Sequence, residues 1–211
     1  MPVFFQQDID ENTRLAVWKI EEQEAFFKRF VPLHRAVTHP HKRLQHLAGR
    51  FLLRFLFSDF PLQQIQIADT RKPFLRNEAY HFSVSHCGDY AAVIVSRNQR
   101  VGVDIEIPVD KIARIRHKFV SGEEEKAILP QSVEDLTRIW SAKEAVFKWY
   151  GEGSVDFRQH IQLRALDRQE KKWNCYFSKT GQELEVYSLF LSPLCLSYVS
   201  TRSLTGSVVV V

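Results

Sequence analysis

The sequence is short of cysteine, has no long apolar run and opens without a basic leader, and each lack closes off a class of protein. Cys87, Cys175 and Cys195 are an odd number with no CxxC spacing, which argues against a disulfide framework and against a structural zinc site. The longest apolar stretches, such as Tyr90–Val95 and Ser207–Val211, fall far below the roughly 20 residues that carry a helix across a bilayer. Met1-Pro2-Val3-Phe4-Phe5-Gln6 lacks the charged stretch and apolar core of a secretory signal. A cytoplasmic protein without a membrane span is the expectation. No tract is of low complexity and no strong repeat is visible, and 45% hydrophobic with 26% charged residues is ordinary for a globular chain. The net charge of +4 suits an acidic or phosphorylated partner; without a nucleic-acid-binding signature it calls for no nucleic acid.

What is present reads as α+β. The length of 211 residues suits one large domain or two small halves. Arg14–Ile20 alternates as a first strand, Glu21–Val31 looks helical up to Pro32, and Ile65–Ile67 is a short strand. Leu44, Leu47, Ala48, Phe51, Leu52, Phe55 and Leu56 recur at spacings of three and four, which predicts an amphipathic helix from about Pro40 to Phe57. Tyr80–Ser85, Tyr90–Ser96 and Val101–Ile107 are three β-type runs, with Cys87-Gly88-Asp89 and Arg97-Asn98-Gln99 between them like hairpin turns. Ser121 and Glu124 have capping-box spacing. A longer helix runs from Ser132 or Val133 to Tyr150 and is stopped by Gly151 and Gly153. Phe157–Leu166, Lys171–Phe177, Glu183–Leu191, Leu194–Thr201 and Ser207–Val211 read as strands. The expected fold is two α+β halves, residues 1–101 and 102–211, each with helices on a mostly antiparallel sheet and a ligand cleft between them near Arg100–Ile107.

Three stretches carry chemistry. In Val101-Gly102-Val103-Asp104-Ile105-Glu106-Ile107 the apolar residues share one strand face, and Gly102, Asp104 and Glu106 share the other. The two carboxylates, roughly 6.5–7 Å apart along the strand, are close enough to converge on a hard cation such as Mg²⁺. Gly102 beside them leaves room for a ligand to approach the backbone. On the later helix, Glu144 falls on a stripe with Leu136, Trp140 and Phe147, Lys148 lies one turn on, and Lys143 falls on the other flank. Ser85 and His86 end a β run in a turn that could donate to phosphate. Arg50 sits in a mostly apolar helix where burial requires an anionic partner. Arg71 and Lys72 precede Pro73 in a basic turn. Taken singly, each pattern has a plain explanation: a solvated strand face, a surface ion pair four residues apart on a helix, a snorkelling arginine, a basic turn. His39, His41 and His46 lack a familiar ligand spacing. A Cys87 nucleophile paired with a histidine base is disfavoured, because such pairs come from distant segments.

The three stretches in order, FSVSHCGDYA, VGVDIE and WSAKEAVFKWYGEG, resemble the 4'-phosphopantetheinyl transferase superfamily, in its larger, surfactin-synthetase-activating (Sfp) type. The AGR around Arg50, Lys72-Pro73, and Phe119-Val120-Ser121 with Glu124 resemble weaker elements of the same pattern. The resemblance implies a pseudo-dimer of two similar halves within a monomeric chain, with coenzyme A in the cleft. It implies Mg²⁺ on Asp104, Glu106 and Glu144, Lys148 near the departing phosphate, and Arg50, Arg71, Lys72, Pro73, Ser85 and His86 on the nucleotide. The activity it implies is transfer of the phosphopantetheine arm of coenzyme A to a serine of an acidic acyl or peptidyl carrier protein, releasing 3',5'-ADP, with Glu144 or a bound water taking the serine proton. Many members have glycine where Arg71 stands, so the backbone is less permissive there. The competing readings are a Mg²⁺-dependent nucleotide pyrophosphatase with no protein acceptor, and a non-catalytic basic binding module.

Overall fold

The computed structural model describes residues 3–32, 37–128, 130, 132–167 and 171–202. In chain order, β1 (Val3–Asp10) and β2 (Thr13–Lys19) precede α1 (Glu24–Lys28) and α2 (Pro40–Leu56). Next come β3 (Ile65–Ile67), β4 (Pro73–Leu75), β5 (His81–Cys87), β6 (Tyr90–Ser96) and β7 (Gln99–Glu106). Helices α3 (Lys111–Ile115), α4 (Gly122–Ile128) and α5 (Val133–Tyr150) follow, and then β8 (Ile161–Asp167), β9 (Lys172–Phe177), β10 (Gln182–Leu191) and β11 (Leu194–Arg202). The fold is α+β with antiparallel sheets in two halves. The expected strand at Ser207–Val211 lies outside the described residues.

One sheet has the order β1-β2-β6-β5 and the other β7-β11-β10-β9-β8, with β3 and β4 forming a small separate ribbon. Alternation along the strands builds four layers. Ala16, Trp18, Val93 and Val95 face α2, where Leu47, Leu52 and Leu53 are fully buried; each such leucine contributes about 1.5–3 kcal/mol relative to exposure. Their neighbours Leu15, Val17, Ala92 and Ile94 face the other way, onto Val101, Val103, Ile105, Leu196 and Tyr198 of the second sheet. That sheet's far face takes α5 through Ile139, Ala142, Val146 and Trp149. The halves therefore share a sheet-on-sheet core.

The second expected hairpin turn does something else. Cys87-Gly88-Asp89 closes the β5–β6 hairpin, but β7 leaves β6 and pairs with β11, so Arg97-Asn98 carries the chain from one sheet to the other. Edge strands β5 and β7 then lie side by side without a ladder. The Oγ atoms of Ser83 and Ser85 accept from the backbone N–H groups of Val103 and Ile105 at 3.1 and 3.3 Å, doing the work that carbonyls do in a sheet.

Helix ends follow their signals. Ser132 caps α5 and exchanges bonds with Asp135, and Gly151 ends the helix in the left-handed region at φ 75°. Ser121 and Glu124 form the expected reciprocal cap on α4. α1 is shorter than the expected helix, and β1, β4 and α3 are additions to the sequence reading. No helix among the described residues is long and apolar enough to cross a membrane.

Candidate active site

The predicted acids lie on two packed elements, Asp104 and Glu106 on β7 and Glu144 on α5, which crosses over that strand. Gly102, Asp104 and Glu106 do share a face of β7, but that face is covered over Gly102 and Asp104. Asp104 is only 3% exposed, and at Gly102 the helix backbone leaves no room for a side chain. A Cβ on Gly102 would collide with the carbonyl of Ala145 and lie 2.7 Å from the backbone nitrogen of Trp149. The glycine therefore admits the helix backbone, where the sequence had suggested room for a ligand.

Asp104 Oδ1 accepts from Lys148 Nζ at 2.7 Å and from the hydroxyl of Ser85 at 2.8 Å, while Lys148 Nζ also donates to Ser85 Oγ at 2.8 Å. Asp104 Oδ2 is buried with no hydrogen-bond partner. Glu106 is held on both sides, by the indole N–H of Trp140 on Oε1 at 3.2 Å and by the Cys87 thiol on Oε2 at 3.5 Å. Burial, and then repulsion from Asp104, raises the Glu106 pKa above the usual carboxylate range. The same causes, with Glu106 adding to the repulsion, push Glu144 up to about 7. Burial pushes the Cys87 thiol up to about 11, which leaves it without nucleophilic character at neutral pH.

These acids form an oxygen-only donor set with more negative charge than Lys148 balances. Among the described residues no group of three metal-binding side chains is already drawn together. The donor chemistry nevertheless fits a hard divalent cation: the unsatisfied Oδ2 of Asp104 and the raised proton affinities of Glu106 and Glu144 mark negative charge that Lys148 only partly offsets.

The cationic candidates separate into groups. Arg50, Arg71, Pro73 and His86 line a cavity of about 520 Å³, together with His46 and an apolar wall. Arg50 Nη1 is buried without a partner, and burial alone brings its pKa down to about 10. Burial also lowers the His86 pKa, and Lys148 reinforces the effect. Ser85 and His86 are consecutive on β5 and so face apart. His86 lines the cavity, whereas the Ser85 hydroxyl proton is committed to Asp104. Lys72 is turned from the cavity as well: its Nζ donates to the Trp149 carbonyl at 3.1 Å, and Thr70 Oγ1 donates to the Gly151 carbonyl at 2.8 Å, so this turn caps the end of α5. Arg71 carries φ 68°, a left-handed conformation costing a non-glycine residue about 1–2 kcal/mol; the less permissive backbone expected there is real.

Sequence reasoning missed Ser83, Trp140 as a donor to Glu106, and the depth of Lys143. The alternation of FSVS is a visible signal for two serines on one face. Trp140 and Phe147 are only partly buried and pack on Phe157, while the deepest face of α5 is Ile139, Ala142, Ala145, Val146 and Trp149.

Residues 100–199 match the family model of the 4'-phosphopantetheinyl transferase superfamily. The 4'-phosphopantetheinyl transferase AcpT of Escherichia coli K12 is 34% identical over 134 residues, 58% of this chain and 68% of the relative. This chain belongs to that superfamily. AcpT of Salmonella typhimurium is 36% identical over 117 residues, covering 52% of this chain and 60% of the relative. Enterobactin synthase component D of Escherichia coli K12 is 30% identical over 141 residues, 63% of each. The matched segments thus span 60 to 68% of these superfamily relatives' lengths.

Proposed function

We propose that this chain is a 4'-phosphopantetheinyl transferase of the larger, two-half (surfactin-synthetase-activating) type. It moves the phosphopantetheine arm of coenzyme A onto a serine of an acidic carrier protein and releases 3',5'-ADP. The observation that carries the reading is a mismatch of charge across β5. Arg50 has a buried guanidinium N–H without an acceptor, and Asp104 has a buried carboxylate oxygen without a donor. A polyanion bound together with a divalent cation would satisfy both, and coenzyme A with Mg²⁺ is such a pair.

Arg50, Arg71, Pro73 and His86 would take the nucleotide phosphates in the cavity, with Lys72 holding the wall of that site from behind. Asp104, Glu106 and Glu144 would hold Mg²⁺, which supplies charge neutralisation at the pyrophosphate. The serine hydroxyl of the carrier attacks the β-phosphorus, a new P–O bond forms, and the bond to the leaving 3',5'-ADP breaks. Glu144 or a bound water would accept the serine proton. Lys148, the cation nearest the acids, stabilises or protonates the departing phosphate. Ser85 orients Asp104 and Lys148 toward each other. The chain's charge of +4 favours encounter with an acidic carrier in the cytoplasm.

Incubation of apo carrier proteins with coenzyme A, Mg²⁺ and this protein, followed by mass spectrometry, tests the reading. A mass gain of one phosphopantetheine arm on the carrier serine is expected. Cleavage of coenzyme A with no modified carrier would instead point to a pyrophosphatase.

A further inference from the structure

The most deeply buried ion pair in the described structure lies outside the acid cluster. Lys143, on α5, is 0% exposed, and Glu124, on α4, is 3% exposed. Lys143 Nζ sits 2.7 Å from Oε1 and 2.8 Å from Oε2 of Glu124, and it donates to the Phe157 carbonyl at 2.8 Å. The same carboxylate accepts from the backbone N–H of Ser121 at 2.8 Å and of Leu163 at 2.9 Å. Two charges thus tie together the start of α4, the middle of α5, the loop before β8 and β8 itself.

Stability alone is a poor reason for such a pair, because desolvation of two charges offsets their attraction and an apolar pair of similar volume serves as well. What the pair supplies is fixed geometry, and that geometry leads to the acids by two short routes. Lys143 directly precedes Glu144 on the helix. The Phe157 segment that Lys143 holds places its ring 5.4 Å from Trp140 and 5.7 Å from Phe147. Trp140 in turn donates its indole N–H to Glu106.

We propose that Glu124 and Lys143 are positioning residues that fix where Glu144 and Glu106 stand relative to each other, and so set the affinity of the acid cluster for a divalent cation. This rests on the reading of Asp104, Glu106 and Glu144 as a cation site. Outer partners of metal ligands commonly control affinity by about 10–100-fold. Neither positioning residue needs to touch the cation or the substrate.

The test is a set of variants of the full chain, read by Mn²⁺ titration with electron paramagnetic resonance and by steady-state kinetics. The double variant Glu124→Gln/Lys143→Met removes both charges together and so leaves no unpaired buried ion. It is expected to weaken Mn²⁺ binding roughly tenfold or more and to need correspondingly more Mg²⁺ for half-maximal turnover, with KM for coenzyme A nearly unchanged. A merely structural role would lower the melting temperature and leave the Mn²⁺ affinity of the folded fraction intact. Should the double variant fail to fold, Phe157→Leu keeps the ion pair and cuts the ring contact to Trp140, and it too should weaken Mn²⁺ binding. A folded double variant or Phe157→Leu protein with unaltered Mn²⁺ affinity overturns the positioning role. Absence of Mn²⁺ binding by the unaltered protein overturns the cation-site reading, and this inference with it.

Discussion

Lys148 and Asp104 meet at 2.7 Å across the junction of α5 and β7, with the aspartate side chain 5% exposed and the lysine 25%. The contact joins a helix to a strand through charges that water scarcely reaches, so removing either partner leaves the other poorly compensated.

Lys148→Met should therefore cost stability on the order of 3 kcal/mol, the lower end for breaking a buried pair because the lysine keeps some contact with water. It should also lower turnover by about 10²–10³-fold, the usual effect of losing a charge-stabilising group in a dry site. Glu144→Gln should lower turnover too, but excess Mg²⁺ should partly restore it and should not restore Lys148→Met. Urea denaturation and Mg²⁺-dependent kinetics of the two proteins make the comparison. Near-unaltered turnover in both would remove them from the chemistry.

Arg50→Met and His86→Ala should weaken binding of coenzyme A more than of dephospho-coenzyme A if the cavity receives the 3'-phosphate. A hydrogen bond to a charged group contributes about 1.5–3 kcal/mol, so roughly a tenfold or larger difference between the ligands is expected by isothermal titration calorimetry. Equal losses for both ligands would place these side chains at another phosphate.

Lys72 gives a prediction in pH. Burial, with Arg100 adding to it, holds its pKa at about 8 in the folded chain against an ordinary value of 10.5. Between these values the unfolded chain binds the proton more tightly. The cost of the buried ammonium is thus fully present below pH 8 and disappears as pH rises toward 10.5. Lys72→Met should lack this alkaline gain. The difference in urea midpoint between the two proteins, followed from pH 7.5 to 9.5, should shift in favour of the unaltered protein; a constant difference would show that Lys72 does not titrate there.

Gly102→Ala should be among the most damaging single-methyl changes in the chain. The added carbon meets backbone atoms of α5, which cannot turn aside as a flexible side chain can. A loss near the upper end of the usual 1–3 kcal/mol for overpacking is expected, together with lower turnover, because Glu144 and Lys148 ride on the displaced helix. Thermal unfolding and kinetics check both parts.

Much of this was legible before the structure. The spacing of Leu47, Leu52 and Leu53 gave α2 within a residue of its observed end, and Ser132 and Gly151 bounded α5. The alternation of VGVDIEI correctly split apolar from polar, because one face of β7 packs on another sheet. What alternation could not reveal is that the polar face is covered at Gly102 and Asp104: burial of Asp104 depends on Gly102 admitting a helix backbone, at Ala145 and Trp149, from far along the chain. β1 escaped notice because it is an edge strand of mixed exposure, without a clean period. The exchange of sheets after β6 was hidden because a two-residue turn looks the same whether it closes a hairpin or redirects the chain. Lys143 looked peripheral because helical angle gives direction and not depth, and its partner Glu124 lies on a separate helix.

The serines joining β5 to β7 have a consequence for how the two halves can slip. A backbone ladder offers an equivalent set of bonds at every second residue. Hydroxyls at only two places do not. A one-residue slide along β5 would set Val84 and His86 against the N–H groups of Val103 and Ile105 and leave them without acceptors in the core. A two-residue slide would rescue one of them but carry Ser85 away from Asp104 and Lys148. The alignment of the cationic cavity with the acids is thus encoded as Ser-x-Ser read against Val-x-Ile. A single-residue insertion in either strand would misalign the two while leaving the helix-facing core of each half able to form.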